Sequence, residues 1–179
     1  SRGRRASAVL NLFVWHVWRR TVRTPLTVEL QMGTKLACPS WSNIAGAWVS
    51  IGAHESELFF VADSVREGDV FVDVGANIGV YALTAALRGA RAIAYERNER
   101  AMAAMRHNAE LNGVVQRLTC STEALSDFDG EASFTTDLEC GNRLATDGAH
   151  GVPVRVKRLD SSLSELGTQG IDFLKIDAE

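Results

Sequence analysis

The sequence predicts an α/β protein built on a doubly wound, mostly parallel sheet. Three observations carry that expectation. Val70–Val74, Ala92–Tyr95 and Ile171–Ile176 are short, mostly apolar runs, as in strands buried on both faces. Stretches with helical spacing separate them, in the order that βαβ crossovers require. A loop with two glycines, Gly75-Ala-Asn-Ile-Gly79, joins the first run to the next helix.

The chain of 179 residues is long enough for one globular domain with a sizeable core. Its net charge of −3 hides an asymmetry, because Arg2, Arg4, Arg5, Arg19, Arg20 and Arg23 crowd one end. The remainder is acidic, which argues against nucleic acid as the main partner. Cys38, Cys120 and Cys140 are odd in number and widely spaced, so neither a disulfide framework nor a zinc site is indicated. A reducing, cytoplasmic setting is the expectation. The apolar run from Ala8 to Trp18 is short and interrupted by Asn11 and His16, so it does not suffice to cross a bilayer. The chain begins at Ser1 and stops at Glu179 in a strand-to-loop transition, and further sequence is expected at both ends.

Taken in order, residues 8–23 read as an amphipathic helix flanked by arginines, with Leu12, Trp15, Val17 and Trp18 among its apolar members. It either packs on its own domain or on a partner subunit, or it attaches to an anionic membrane surface. Leu26–Met32 and Thr34–Cys38 form a β-hairpin turning at Gly33. Ser56–Val65 is helical and closes at Glu67-Gly-Asp69. After the first strand, residues 78–88 return to helix and stop at Gly89. The strand Ala92–Tyr95 follows, then a helix from Glu99 to Asn112 with Met102, Met105 and Ala109 on one face. Leu118–Cys120 is a third short strand. A hairpin-like stretch is expected around Gly130 to Thr136, then a polar loop, a strand Val152–Val156, a short helix Ser161–Leu166 capped by Asp160, and the last strand. Residues 1–54 are read as an N-terminal extension and residues 55–179 as the domain proper.

The chemistry concentrates at the carboxyl ends of the strands, where an open parallel sheet binds ligands. Asp73, Glu96 and Asp177 all lie at or next to such ends. Three acids gathered there repel one another unless the ligand is cationic or offers hydroxyl donors. S-adenosylmethionine does both, through its sulfonium, its ammonium and its ribose hydroxyls. Gly75, Ala76, Asn77 and Gly79 form the loop that approaches it. Glu96 stands about twenty residues beyond, where a ribose-binding acid belongs in this fold class. The glycine spacing is G-x-x-x-G rather than G-x-G-x-x-G, and Asp73 beside it disfavours a pyrophosphate. An NAD(P)-binding oxidoreductase is therefore the second reading, and a non-catalytic nucleoside-binding or membrane-docking module the third.

Asp73-Val-Gly-Ala-Asn-Ile-Gly79, Asn108, Asn112, Ala124-Leu-Ser-Asp127, Leu159-Asp160 and Ile171-Asp-Phe-Leu-Lys-Ile-Asp-Ala-Glu179 occur in an order that resembles the FkbM-type methyltransferases. The likeness runs from about Glu55 to the end. It implies the class I methyltransferase (Rossmann-like) fold, truncated here after its fourth core strand, S-adenosylmethionine as methyl donor, and O-methylation of hydroxyls on natural products, saccharides or glycolipids. It places Glu55 near the donor's ammonium group, and Glu123 and Ala124 near the adenine. One departure is Arg97, which follows Glu96 where the family usually has proline.

Asp177 and Glu179 are the candidates for orienting or deprotonating the acceptor. Lys175 interrupts an apolar strand, where an unpaired ammonium is costly, so it is expected to pair with Asp177 or an acid on a neighbouring strand, and it is the third catalytic candidate. His54 is a weaker one, and His16, His107 and His150 read as surface residues. No paired Asp-Asn signature fixes a divalent cation, so no metal ligand is assigned. The expected partner is a small-molecule or saccharide acceptor. Peripheral membrane contact through the basic helix, and a homo-oligomer joined at Trp15 and Trp18, are further expectations.

Overall fold

The structure is a computed structural model, and it describes residues 13–22, 24–42, 56–134 and 152–177. Residues 13–21 form helix α1, followed by an antiparallel hairpin of β1 (Leu26–Glu29) and β2 (Lys35–Cys38). Then come α2 (Ser56–Ser64), β3 (Val70–Val74), α3 (Val80–Leu87), β4 (Arg91–Tyr95), α4 (Glu99–Asn112) and β5 (Leu118–Ser121). The chain continues through β6 (Ala124–Ser126), β7 (Gly130–Phe134), β8 (Val152–Arg158), α5 (Leu159–Glu165) and β9 (Phe173–Ile176).

The main sheet is parallel with strand order β5-β4-β3-β9. Parallel neighbours cannot be joined by a tight turn, and α3 and α4 supply the two crossovers. Strand order reverses at β3, which has β4 on one side and β9 on the other. The crevice that such a switch point opens is therefore bordered by the segments leaving β3 and β9.

Side-chain alternation divides the core. Phe71, Ala92 and Ala94 face α2, α3 and α4, in clusters that also hold Leu58, Val61, Leu83 and Met105. Val72, Val74, Ile93 and Tyr95 face the other way and pack on Leu159 and Leu163 of α5 and on Leu125. The N-terminal elements share the first core, because Trp15, Leu30, Leu36 and Cys38 join the cluster of Ile78, Leu83 and Met105. Burial pushes the Cys38 thiol up to about 12, so it behaves as a small apolar side chain.

Two local expectations are corrected. Gly130–Phe134 is one strand that pairs antiparallel with β8 (Phe134 opposite Val152), so the predicted hairpin at Gly130 to Thr136 does not turn back on itself within the described residues. Asp160 is not a helix cap: β8 runs directly into α5, Arg158 occupies the cap position, and Asp160 lies in the first turn. Asp129 takes over the capping task by accepting from Arg158 N–H and Ser161 Oγ, at 2.6 and 2.7 Å.

Candidate functional site

The loop after β3 curls because three of its five residues adopt left-handed backbone, with φ of 78° at Gly75, 51° at Asn77 and 90° at Gly79. Asn77 is the one non-glycine among them. Its Oδ1 accepts from the Ile78 N–H at 2.9 Å, the local bond that lets asparagine occupy this region. Gly75 and Ala76 both donate to the carbonyl of Tyr95, at 2.9 and 3.0 Å, which ties the loop to the end of β4. Ile78 is fully buried and holds the loop down from the other end. Its burial contributes roughly 2 kcal/mol.

Glu96 stands at the tip of β4, half-buried. One carboxylate oxygen accepts from Asn77 N–H at 2.8 Å and the other from Asn98 N–H at 2.6 Å. A carboxylate has about four lone-pair sites, so two remain for hydroxyl donors beside the loop. The residues present therefore fit a ribose. Arg97, the departure from the family pattern, is followed by Asn98, whose side chain caps α4 by accepting from Arg100 and Ala101 N–H. The turn is thus closed by side-chain bonds from Glu96 and Asn98 instead of a proline ring.

Asp73 lies next to its strand end, as expected, but is buried. Its side chain is 0% exposed, Oδ2 accepts from Ala82 N–H in α3 at 3.2 Å, and Oδ1 lies 3.1 Å from Lys175 Nζ. The cause is alternation: Asp73 is one residue short of the strand end and shares the face of Phe71, which α3 covers. Burial pushes its carboxyl above the usual range, against the pull of Lys175 and the Ala82 N–H, with the charge of Asp177 pushing the same way as burial. Asp73 thus ties β3 to α3 and to Lys175 of β9.

Lys175 lies opposite Asp73 in the β3–β9 register and makes both of the ion pairs anticipated for it. Besides Asp73, its Nζ is 3.6 Å from Asp177 Oδ2, donates to the Gly75 carbonyl at 3.4 Å and sits 5.0 Å from the centre of the Tyr81 ring. Asp177 itself is 82% exposed at the tip of β9, its N–H fixed to the Val74 carbonyl at 2.9 Å. Gly75, Lys175 and Asp177 are therefore brought together beside the loop. Glu55, Glu179 and His54 lie outside the described residues.

Glu123 and Ala124 follow β5 as expected, and the structure gives the Glu123 carboxylate two partners. Lys157 Nζ is 2.7 Å away, and Ser162 Oγ, itself bonded to Tyr95 Oη, donates to it. Burial pushes the Glu123 carboxyl up, but Lys157 and Ser162 outweigh this and hold it below its ordinary value. A depressed carboxyl stabilises the fold above the unfolded value, about 4.3, and that contribution is lost as pH falls through the lower folded value. Glu123→Gln is expected to remove this component, giving a stability curve with a shallower acid limb below about pH 4 in urea titrations.

Two asparagines quoted for the family resemblance, Asn112 also as the helix end, prove to join α4 to the hairpin, and Asn108 reaches the loop as well. Asn108, fully buried in α4, accepts from Ala37 N–H of β2 at 2.7 Å and donates to the Ile78 carbonyl of the loop at 3.1 Å. One turn later, Asn112 pairs with both the N–H and the carbonyl of Lys35, imitating a neighbouring strand. Their i, i+4 spacing puts both on one helix face, which was the available signal. Asn108→Asp keeps an acceptor for Ala37 but loses the donor to Ile78. A stability loss of about 2 kcal/mol with weakened donor binding is expected, measured by denaturation and calorimetric titration.

A family model described as the methyltransferase FkbM domain matches residues 73–179. The tRNA (guanine(37)-N(1))-methyltransferase of Danio rerio is 37% identical over 68 residues, 38% of this chain and 14% of that protein. The ribosomal protein L11 methyltransferase of Pectobacterium carotovorum subsp. carotovorum is 29% identical over 158 residues, 79% of this chain and 52% of that protein. The chain spans about half the length of the latter and a smaller part of the former. Among solved structures, the Pyrococcus abyssi tRNA (uracil-54, C5)-methyltransferase in complex with S-adenosyl-L-homocysteine aligns at 17% identity with a TM-score of 0.45, covering 55% of this chain and 23% of that one.

Proposed function

This chain belongs to the FkbM methyltransferase family, and from that premise we propose that it binds S-adenosylmethionine at the Gly75–Gly79 loop and serves the O-methylation of a hydroxyl on a natural product, saccharide or glycolipid. The observation that carries the donor assignment is Glu96, which fastens Asn77 and keeps two lone-pair sites for ribose hydroxyls. Family membership sets aside the dinucleotide oxidoreductase. The bound donor supplies a methyl group on a sulfonium.

The chain's own residues do the rest. The loop, held by Tyr95, Glu96 and Asn108, is fixed before the ligand arrives, so little ordering cost falls on binding. Asp177 is exposed at the crevice edge and is the group assigned to orient the acceptor hydroxyl and take its proton. Lys175, 3.6 Å away, steadies that carboxylate and offsets the charge of Asp73. The acidic character of the domain favours a small or saccharide acceptor over nucleic acid.

The test is transfer of labelled methyl from S-adenosylmethionine to a panel of hydroxylated saccharides and lipids, with Asp177→Asn in parallel. Methyl ethers are expected, with turnover lowered roughly 100-fold or more in the variant and donor affinity retained. Full turnover by Asp177→Asn, or methyl appearing only on nitrogen, would overturn the acceptor assignment while leaving the donor site intact.

A further inference from the structure

Helix α1 presents two unlike faces. Trp15 is 1% exposed and enters the cluster of Leu36, Ile78 and Met105, so one face is anchored on the core beneath the loop. Phe13, Val14 and Val17 lie at 66, 46 and 45% exposure, and Val22 just beyond the helix at 42%. Positions 13, 14 and 17 share one helical face, so the apolar exposure is contiguous instead of scattered.

The charge of this stretch of the chain is one-signed. Residues 1–28 contain six arginines and no aspartate or glutamate, whereas the whole chain has a net charge of −3. Arg20, exposed, stands on the helix itself, and Arg19 is partly exposed beside it. Among the described residues no helix is long and apolar enough to cross a membrane. An outward apolar strip with Arg19 and Arg20 on the same helix, in an acid-free stretch of an otherwise acidic chain, matches an interfacial element whose aliphatic side chains enter the acyl boundary while guanidinium groups meet anionic headgroups. A nucleic acid would be served by the arginines but would gain nothing from outward valines, since its affinity comes from phosphate contacts and stacking.

We propose that α1 is a docking surface for an anionic lipid bilayer, holding the protein peripherally on the membrane. Phe13, Val14 and Val17 are the inserting residues, Arg20 and the other arginines of the first 28 residues supply the headgroup attraction, and Trp15 keeps the helix fastened to the domain. The interaction does not depend on the identity of the acceptor.

The test is co-sedimentation of the chain with vesicles of phosphatidylcholine alone or with added phosphatidylglycerol. Binding is expected only to the anionic vesicles, falling in high salt as surface electrostatics are screened. Replacing Phe13, Val14 and Val17 together by serine should weaken it roughly tenfold or more, and Arg20→Glu should weaken it and flatten its salt dependence. Circular dichroism and a donor titration on each variant check that the fold survives, since all four side chains point away from the core. Equal binding to neutral vesicles, wild-type binding by the triple serine variant, or binding to a short RNA but not to vesicles would each overturn the proposal.

Discussion

Gly79→Ala is expected to destabilise the protein by about 3 kcal/mol and to remove measurable donor binding. Two costs fall on the same atom. At φ of 90° an L side chain is strained by roughly 1–2 kcal/mol. A Cβ there would also stand 2.6 Å from Met105 Cγ and 3.2 Å from Leu83 Cδ1, both in the fully buried core, where forced repacking costs roughly 1–3 kcal/mol. Gly33→Ala separates the two contributions, because its φ of 88° is similar and nothing lies within 4 Å of its added Cβ. Urea denaturation should therefore place Gly33→Ala about 2 kcal/mol above Gly79→Ala in stability, with donor affinity intact. Equal losses for the two variants would mean that the loop has room to move, against the packing described.

The second large effect concerns Asp73 and Lys175. Asp73→Asn leaves the exposed Asp177 as the one described acid paired with the Lys175 ammonium, and Lys175→Met leaves a fully buried carboxylate with one backbone donor. Breaking a buried pair from one side costs roughly 3–5 kcal/mol, whereas replacing both partners is often close to neutral. Lys175 is 21% exposed, so about 3 kcal/mol is expected for Lys175→Met and a little less for Asp73→Asn. The double variant should be more stable than either single one by denaturant midpoint. Additive losses would show that the two groups are not coupled across the β3–β9 register.

Strand β3 and helix α4 have the bounds read from the sequence, Val70–Val74 and Glu99–Asn112, because a short, mainly apolar run and a helical spacing that ends at Asn112 are local signals. Asp73 was legible as an acid next to a strand end, but its burial under α3 follows from two-residue alternation and the packing of that helix, which the strand's sequence alone does not contain. Strand β7 was read as a hairpin because its partner lies beyond residue 151, and pairing at that distance leaves no mark on local composition. The roles of Asn108 and Asn112 needed the hairpin's position, which spacing along α4 does not contain. Glu96 was legible from its distance to the loop, but its grip on Asn77 and Asn98 depends on backbone geometry.

The central claim is that the loop at Gly75–Gly79 and Glu96 form the donor site. Calorimetric titration of S-adenosylmethionine into the wild-type chain and Glu96→Ala tests it most directly. A single site is predicted in the wild type, with affinity roughly 10- to 100-fold lower in the variant, as loss of charge-assisted bonds to two hydroxyls implies. Unchanged affinity in a folded Glu96→Ala variant, or no binding by the folded wild type, would contradict the account.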